Sequence, residues 1–493
     1  MSNTSKAREN LLANTIWRFA EQFGMQLVQF ITQLVMARLL LPSDFGLVAM
    51  MTVFITIAQV FVDSGLGQAL IQKKEIDNVD LSSVFFMNLC VSLLLYLVLF
   101  IFAPVIASYY NESVLINLLR VHGLVIIINS LNVVQTSVMI RQMEFKKSFL
   151  RGSIGIIIQG IVGVTLALYG FGVWAITISH IARSISVTVV LWYTVKWKWD
   201  SNFSLSRIKE LFKYGSGILL TSLTNTIFTN IHTLVIAKKF NSSNLGYYNR
   251  GDQLPRLVTN NITMPISAII FPVMSREQDN LIKLKSIIQK FIIVGTYATF
   301  PAMMLLFVLS KPIILLLLTD KWLGAVPYMQ FACIKFAFAP MHDANLQALK
   351  AIGKSDVFFK LSVIKNTIAI IVLIITVQYG IYVVAIGAVL CSFISLLINI
   401  APIGKHLNYN HLSQFKDVIP AFIISCVSII VVVLIGIYGT YFVLLIQITS
   451  YLIVYLILSK VFRIKGFQIT MQLINDMRNL IKKQLLVIGE KIG

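Results

Sequence analysis

Residues 82–109 read SSVFFMNLCVSLLLYLVLFIFAPVIASY. The stretch contains no Asp, Glu, Lys or Arg and exceeds the roughly 20 residues that a helix needs to cross a bilayer core. A segment in hydrocarbon must satisfy its own backbone, and a helix does so. Outward from this run, comparable apolar stretches recur through the 493-residue chain. They predict about fourteen transmembrane helices. Their positions are near residues 14–37, 45–66, 82–109, 115–138, 148–169, 173–195, 211–237, 250–272, 287–309, 325–349, 357–379, 382–403, 418–437 and 440–459. Composition agrees, with 57% hydrophobic residues, 12% charged residues and a mean hydropathy of +0.83. Such a chain is no water-soluble globule; the expected fold class is an all-α polytopic membrane protein. No A-x-A site follows the first apolar run, so that run is expected to stay as a span. Cys90, Cys333, Cys391 and Cys426 all fall within apolar runs, which argues against a disulfide framework. The connections are too short for a folded soluble domain.

The connections also orient the chain. Lys and Arg concentrate at the N-terminus, in every second connection and in the tail, as at Lys73 and Lys74, Lys146 and Arg151, Lys196 and Lys213, Lys283 and Lys290, Lys350 and Lys360. The alternate connections are tight and nearly uncharged, as at Gly170–Gly172 and Tyr379–Ile381. By the positive-inside rule the basic side is cytoplasmic, and an even number of crossings places both termini there. The net charge of +21 is thus a topology signal and an attraction to anionic membrane lipid, with no nucleic-acid partner implied.

An internal repeat appears at an offset of 200. Residues 33–46, QLVMARLLLPSDFG, align with residues 233–246, TLVIAKKFNSSNLG, and share Leu, Val, Ala, Ser and Gly at matching places. The expected organisation is two parallel six-helix lobes, 1–200 and 201–406, two extra transmembrane helices in 407–462, and an amphipathic cytoplasmic tail, 463–493. Parallel repeats of this kind are related by an axis along the membrane normal. Each lobe opens with a polar stripe at helical spacing: Gln22, Gln26, Gln29 and Gln33, matched by Ser222, Thr226, Thr229 and Thr233. Single polar residues in membrane helices usually bond to a neighbouring helix. Two stripes in one register favour a water-facing cavity.

Seven segments carry a resemblance. They are ARLLLPSDFGLVAM (Ala37–Met50), DSGLGQALIQ (Asp63–Gln72), EFKKSFLRG (Glu144–Gly152), LYGFGVWA (Leu168–Ala175), LGYYNRGDQLP (Leu245–Pro255), FPVMSR (Phe271–Arg276) and NLQALKAIGKSDVFFKL (Asn345–Leu361). In this order and spacing the chain resembles the Wzx-type polysaccharide flippases of the multidrug/oligosaccharidyl-lipid/polysaccharide exporter superfamily. The resemblance implies an inner-membrane transporter that is not an enzyme. Its expected substrate is a polyprenyl-pyrophosphate-linked oligosaccharide, and a polysaccharide polymerase or chain-length machinery is a further candidate partner. It supplies no mechanism residue.

Candidate site residues therefore come from the chemistry. A pyrophosphate crossing hydrocarbon needs a hydrated, cationic path, and Arg offers a planar, permanently charged fork. The candidates are Arg18, Glu21, Gln22, Gln26 and Gln29 on the first span, Thr226 and Thr229 on the seventh, and Arg183, Arg250, Arg256 and Lys335. Each has a structural reading beside it: Glu21 neutralises Arg18, Asp252 pairs with Arg256 at i,i+4, and His180 with Arg183 forms an interhelical bond. Lys365 and Arg120 are readable as snorkelling to an interface. Asp63 and Asp343 are the candidates for a coupling ion; Asp63 also reads as the end of the second span, and Asp343 with adjacent His342, pointing about 100° apart, as a proton-relay candidate. No metal-ligand spacing, phosphate loop or nucleophile triad occurs, so no metal and no cofactor is expected. Two other readings are a cation-coupled multidrug exporter and an integral-membrane polymerase or acyltransferase. After Lys460, an apolar stripe beside Arg478, Lys482 and Lys483 predicts a helix on the inner leaflet.

Overall fold

The computed structural model describes residues 24–63, 65–142, 145–197, 200, 202–436 and 441–489, and over these it is helical with short connections. Among the described residues, helices occupy each of the apolar positions. Ten are long and apolar enough to cross a membrane among the described residues, or eleven if one pair bent by 42° is a single crossing. The protein is a multi-pass membrane protein, but the expected count of fourteen is not established. Three causes are physical. The first apolar position, 14–37, lies partly outside the described residues. Helix α10 (Leu205–Lys239) is interrupted by Thr, Asn and Lys side chains. The tenth position is split into α14 (Val326–Ala337) and α15 (Ala339–Ala351), each too short to span alone.

The chain divides into two compact units, Met1–Gly246 and Tyr247–Gly493. The first contains α1 (24–39), α2 (Pro42–Asp63), α3 (Leu66–Gln72), α4 (Asn78–Tyr110), α5 (Leu115–His122), α6 (Leu124–Ser130), α7 (Val133–Arg141), α8 (Phe145–Leu168), α9 (Val173–Thr194) and α10. Pro42 sits at the first position of α2, where its missing N–H is tolerated, and Asp44 accepts the Leu41 N–H at 3.0 Å. Asp77 and Asp80 form a reciprocal capping box at the start of α4. Gly170 and Gly172 adopt φ of +79° and +54°, which only glycine takes without strain, and they turn α8 tightly back into α9.

Glycines on α8 then decide the packing. A Cβ on Gly160 would lie 2.8 Å from Thr32 of α1, and one on Gly155 2.7 Å from Val187 of α9. Small residues let membrane helices approach where no hydrophobic effect draws them together. Helix α10 joins this unit through Ile208 and Leu211, which enter a buried cluster with Leu66, Leu70, Leu81, Val84 and Phe85. Arg207 reinforces it by pairing with Asp77 at 3.2 Å. The repeat has a structural counterpart. A Cβ on Gly46 would fall 1.8 Å from the Ser242 carbonyl oxygen, and one on Gly246 2.0 Å from that of Pro42. Positions 42 and 242, 46 and 246 thus meet reciprocally.

From Tyr247, α11 (Ser242–Arg276) runs into the second unit with Pro255, Pro265 and Pro272 along it. There follow α12 (Leu281–Val308), α13 (Ser310–Leu317), α14, α15, α16 (Ser355–Thr376), α17 (Ile381–Leu407), α18 (His411–Gly436), α19 (Tyr441–Val461) and α20 (Lys465–Gly489). Buried amides tie helices together: Asn345 and Gln414 exchange hydrogen bonds of 2.9 and 2.8 Å. Asp417 is a second node, accepting from Gln289 at 2.7 Å and Tyr409 at 2.9 Å and pairing with Lys465 at 3.4 Å. Burial, with the Asp417 charge, pushes the Tyr409 phenol up, so it remains a donor. The tail helix is seated at its start: a Cβ on Gly466 would lie 2.7 Å from the Tyr297 side chain.

Candidate functional site

The first unit encloses a cavity of about 910 Å³. Its walls come from α1, α2, α3, α6, α7, α8 and α9, and its lining mixes apolar side chains such as Ile71, Val133 and Ile156 with uncharged polar groups. Gln26 and Gln29 enter from α1, Gln59 from α2, Gln68 from α3, Asn129 from α6, and Thr136 and Ser137 from α7. Gln26 and Gln29 of the α1 stripe line the cavity, beside the adjoining side of α1 on which Met25, Thr32 and Met36 pack against Gly152, Gly160 and Gly163 of α8. Hydrogen bonds fix much of the wall. Asn129 donates to Gln59 at 3.2 Å, and Gln59 donates to Asp63 at 2.9 Å. Asn132 donates to Thr188 at 2.8 Å.

Two guanidinium groups face the same space, Arg151 from α8 and Arg183 from α9. Arg151 donates to Thr136 at 2.8 Å and Arg183 to Gln159 at 3.1 Å. Among the described residues neither is paired with a carboxylate, and Asp63 is the single acidic side chain in the lining. Ionisable groups at membrane depth are expensive and mark transport paths or buried partners. Here the partners are neutral. An anion entering the cavity finds two charged donors that are positioned and, among the described residues, not neutralised.

Gln26, Gln29, Arg183 and Asp63 are thus together at one cavity. His180 joins them, its ring 5.4 Å from that of His122. Arg18, Glu21 and Gln22 lie outside the described residues. Thr226 and Thr229 are not among the lining residues; the Thr229 hydroxyl donates to the Asn225 carbonyl at 2.7 Å, and Asn230 donates to the Thr226 carbonyl at 2.8 Å. Sequence spacing groups Arg151 with the loop cations Lys146 and Lys147 and does not single out Gln59, Gln68, Asn129 or Thr136 as lining residues. The signal for Arg151 was its position just before the apolar run of α8.

In the second unit, Arg256 and Lys335 gather around one carboxylate. Asp252 accepts from Lys335 at 2.9 Å and from the Arg256 Nε at 2.8 Å, so the i,i+4 pairing is made. Arg250 hydrogen-bonds to Gln253 and stacks 5.5 Å from the Trp322 ring. Asp343 bonds to Thr263, while neighbouring His342 reaches Ser392 and Asn399, so the two adjacent side chains diverge. Neither proposed snorkelling residue lacks a partner. Arg120 stacks 4.3 Å from Phe100, and Lys365 donates to Asn399 at 2.8 Å.

Known proteins place this architecture. Over 483 residues the chain is 26% identical to a membrane protein of the cps region of Klebsiella pneumoniae, covering 96% of this chain and 98% of that one. It is 24% identical over 385 residues to the lipopolysaccharide biosynthesis protein WzxC of Escherichia coli strain K12, covering 76% of each. The structure resembles the lipid II flippase MurJ in an inward closed conformation with a TM-score of 0.78, across 91% of this chain and 98% of that one. Identity to MurJ is 19%, so that likeness is one of fold. Residues 35–327 match the family described as Polysaccharide biosynthesis protein. That match takes in most of the cavity wall and more than half of the chain, and on that extent the chain belongs to the polysaccharide biosynthesis protein family.

Proposed function

We propose that this protein flips polyprenyl-pyrophosphate-linked oligosaccharides from the cytoplasmic to the periplasmic leaflet of a bacterial inner membrane, for surface polysaccharide biosynthesis. The observation that carries the reading is Arg151 and Arg183, two guanidinium groups in a cavity lined in part by carboxamides, whose partners among the described residues are neutral. A pyrophosphate supplies the missing negative charge, and carboxamides match sugar hydroxyls as donors and acceptors. The polyprenyl tail stays in hydrocarbon, which it already prefers. The name of WzxC points to lipopolysaccharide assembly and that of MurJ to a lipid-linked saccharide; the same substrate class is assigned here. Both termini are cytoplasmic in this reading, no covalent chemistry is performed, and a polymerase uses the product. Alternating access requires only that the loaded cavity bind the headgroup differently in two states.

The test is translocation of a fluorescent polyprenyl-pyrophosphate disaccharide by the full-length protein in vesicles. A hydrogen bond to a charged group contributes about 1.5–3 kcal/mol, so Arg151→Gln and Arg183→Gln should each slow flipping roughly ten- to hundredfold. Arg183→Lys, which keeps the charge but loses the fork, should fall between. Wild-type flipping by the double variant Arg151→Gln/Arg183→Gln overturns the assignment.

A further inference from the structure

A second chain of polar groups runs through the second unit. Lys365 on α16 donates its ammonium to Asn399 Oδ1 at 2.8 Å. On the other side, Asn399 Nδ2 lies 3.1 Å from Nδ1 of His342. His342 Nε2 lies 3.5 Å from the Ser392 hydroxyl, which donates to the Lys335 carbonyl at 3.1 Å.

Donor and acceptor counting fixes the protons. An ammonium only donates, so the Asn399 atom facing it is the carbonyl oxygen. The amide NH₂ therefore faces His342 Nδ1, which must accept and carry no proton. The His342 proton is then on Nε2, pointing at Ser392, and the imidazole is neutral. Lys365 has no carboxylate within ion-pair distance among the described residues. Its charge rests on one amide oxygen.

We infer that His342, Asn399 and Lys365 form a proton-gated contact for a tetrahedral, phosphate-like anion. A proton arriving from water binds Nδ1 of His342 and turns this acceptor into a donor. The Asn399 amide must then reverse, giving its oxygen to His342 and its NH₂ to Lys365. Two donors now face each other, so the ammonium is released and offers its protons elsewhere. Two positive charges sit close together, and an anion at Lys365 offsets the repulsion. Proton uptake and anion uptake favour each other, and by linkage the coupling is reciprocal.

The surroundings leave this device to itself. Lys335 on α14 is held by Asp252, and Asp343 on α15 is turned to Thr263. Helix α12 carries Lys283, Lys285 and Lys290 in its first turns, and α17 carries Cys391, Lys405 and His406. Helix α16 carries Asp356 and Lys360 near its start, and α15 carries Lys350 in its last turn. Among the described residues of these helices, Lys365 is the charged side chain whose hydrogen bond enters the His342 network. The inference rests on the proposed headgroup reading for the class of anion alone.

The experiment measures binding of inorganic sulfate, a dianion that keeps its charge across the range, to full-length Arg151→Gln/Arg183→Gln protein in nanodiscs. Those substitutions silence the first-unit cavity. Sulfate affinity should rise as pH falls, by up to roughly tenfold per pH unit for one coupled proton. Adding Lys365→Met should abolish this component, and adding His342→Gln should leave it independent of pH. Calorimetry of the Arg151→Gln/Arg183→Gln protein in buffers of different ionisation heat should show about one proton taken up per anion, a readout that needs no change at His342. Displacement of sulfate by polyprenyl pyrophosphate in the nanodisc assigns the contact to a lipid headgroup. Displacement only by soluble pyrophosphate assigns it to a free phosphate; both keep the gate. No pH-dependent sulfate component, or one unchanged by His342→Gln, overturns the inference. That result leaves the first-unit reading standing if unsubstituted protein still flips lipid.

Discussion

Gly46 and Gly246 are the residues on which the first unit closes most tightly. Each would place a Cβ within about 2 Å of a backbone oxygen, at 1.8 and 2.0 Å, and backbone does not swing aside as a side chain does. Overpacking typically costs about 1–3 kcal/mol, so Gly46→Ala and Gly246→Ala should each lower the melting temperature in detergent. Gly217→Ala is the control: nothing lies within 4 Å of its Cβ position, and removing a helical glycine should leave stability equal or slightly higher. A melting temperature unchanged by both tight substitutions would contradict the reciprocal contact. The repeat that pairs these glycines was legible in the sequence; their meeting was not, because an alignment gives equivalence and not proximity. Residue identity also misled at Arg151. Its neighbours Lys146 and Lys147 made it read as one more loop charge, whereas helical continuation carries it into the cavity wall.

At the scale of the element, caps and glycine turns follow from local sequence. The Asp77–Asp80 box at the start of α4 is one such device. Asp77→Ala should cost about 1 kcal/mol of stability, the usual loss for a helix cap. The Asp80 backbone N–H, followed by the Arg207 charge, holds the Asp77 carboxyl below its ordinary value of 3.8. A lowered folded value means that this stabilisation is complete above 3.8 and lost as pH falls through the lower, folded value. Melting of wild type should therefore fall below pH 3.8, and that part of the fall should be shallower in Asp77→Asn. An identical pH profile in the variant would remove Asp77 from the account. Span counting was less secure than capping. The apolar pattern located the long helices but not short ones such as α13, and a broken element such as α14–α15 scores as one run in sequence and as two short helices in space.

For the whole molecule, the decisive comparison is between a saccharide-lipid carrier and a drug exporter built on a similar frame. The cavity contains amides, hydroxyls and two guanidinium groups against one carboxylate, a lining that favours anions over the organic cations typical of drug export. A deletion strain should accumulate lipid-linked oligosaccharide on the inner leaflet and lose surface polymer, with unchanged susceptibility to cationic drugs. Hypersensitivity without polymer loss would reverse the assignment. Membrane residence and helical class were set by the sequence alone, because hydrocarbon forces each long apolar segment to satisfy its own backbone in a helix. Seven candidate cations were visible there, Arg18 foremost and Arg151 not among them. Tertiary packing sorted the cations: Arg256 and Lys335 share Asp252, Lys365 leans on Asn399, and Arg151 and Arg183 line a cavity with neutral partners among the described residues. Whether a charge is neutralised depends on which helices touch, and linear order does not encode that contact.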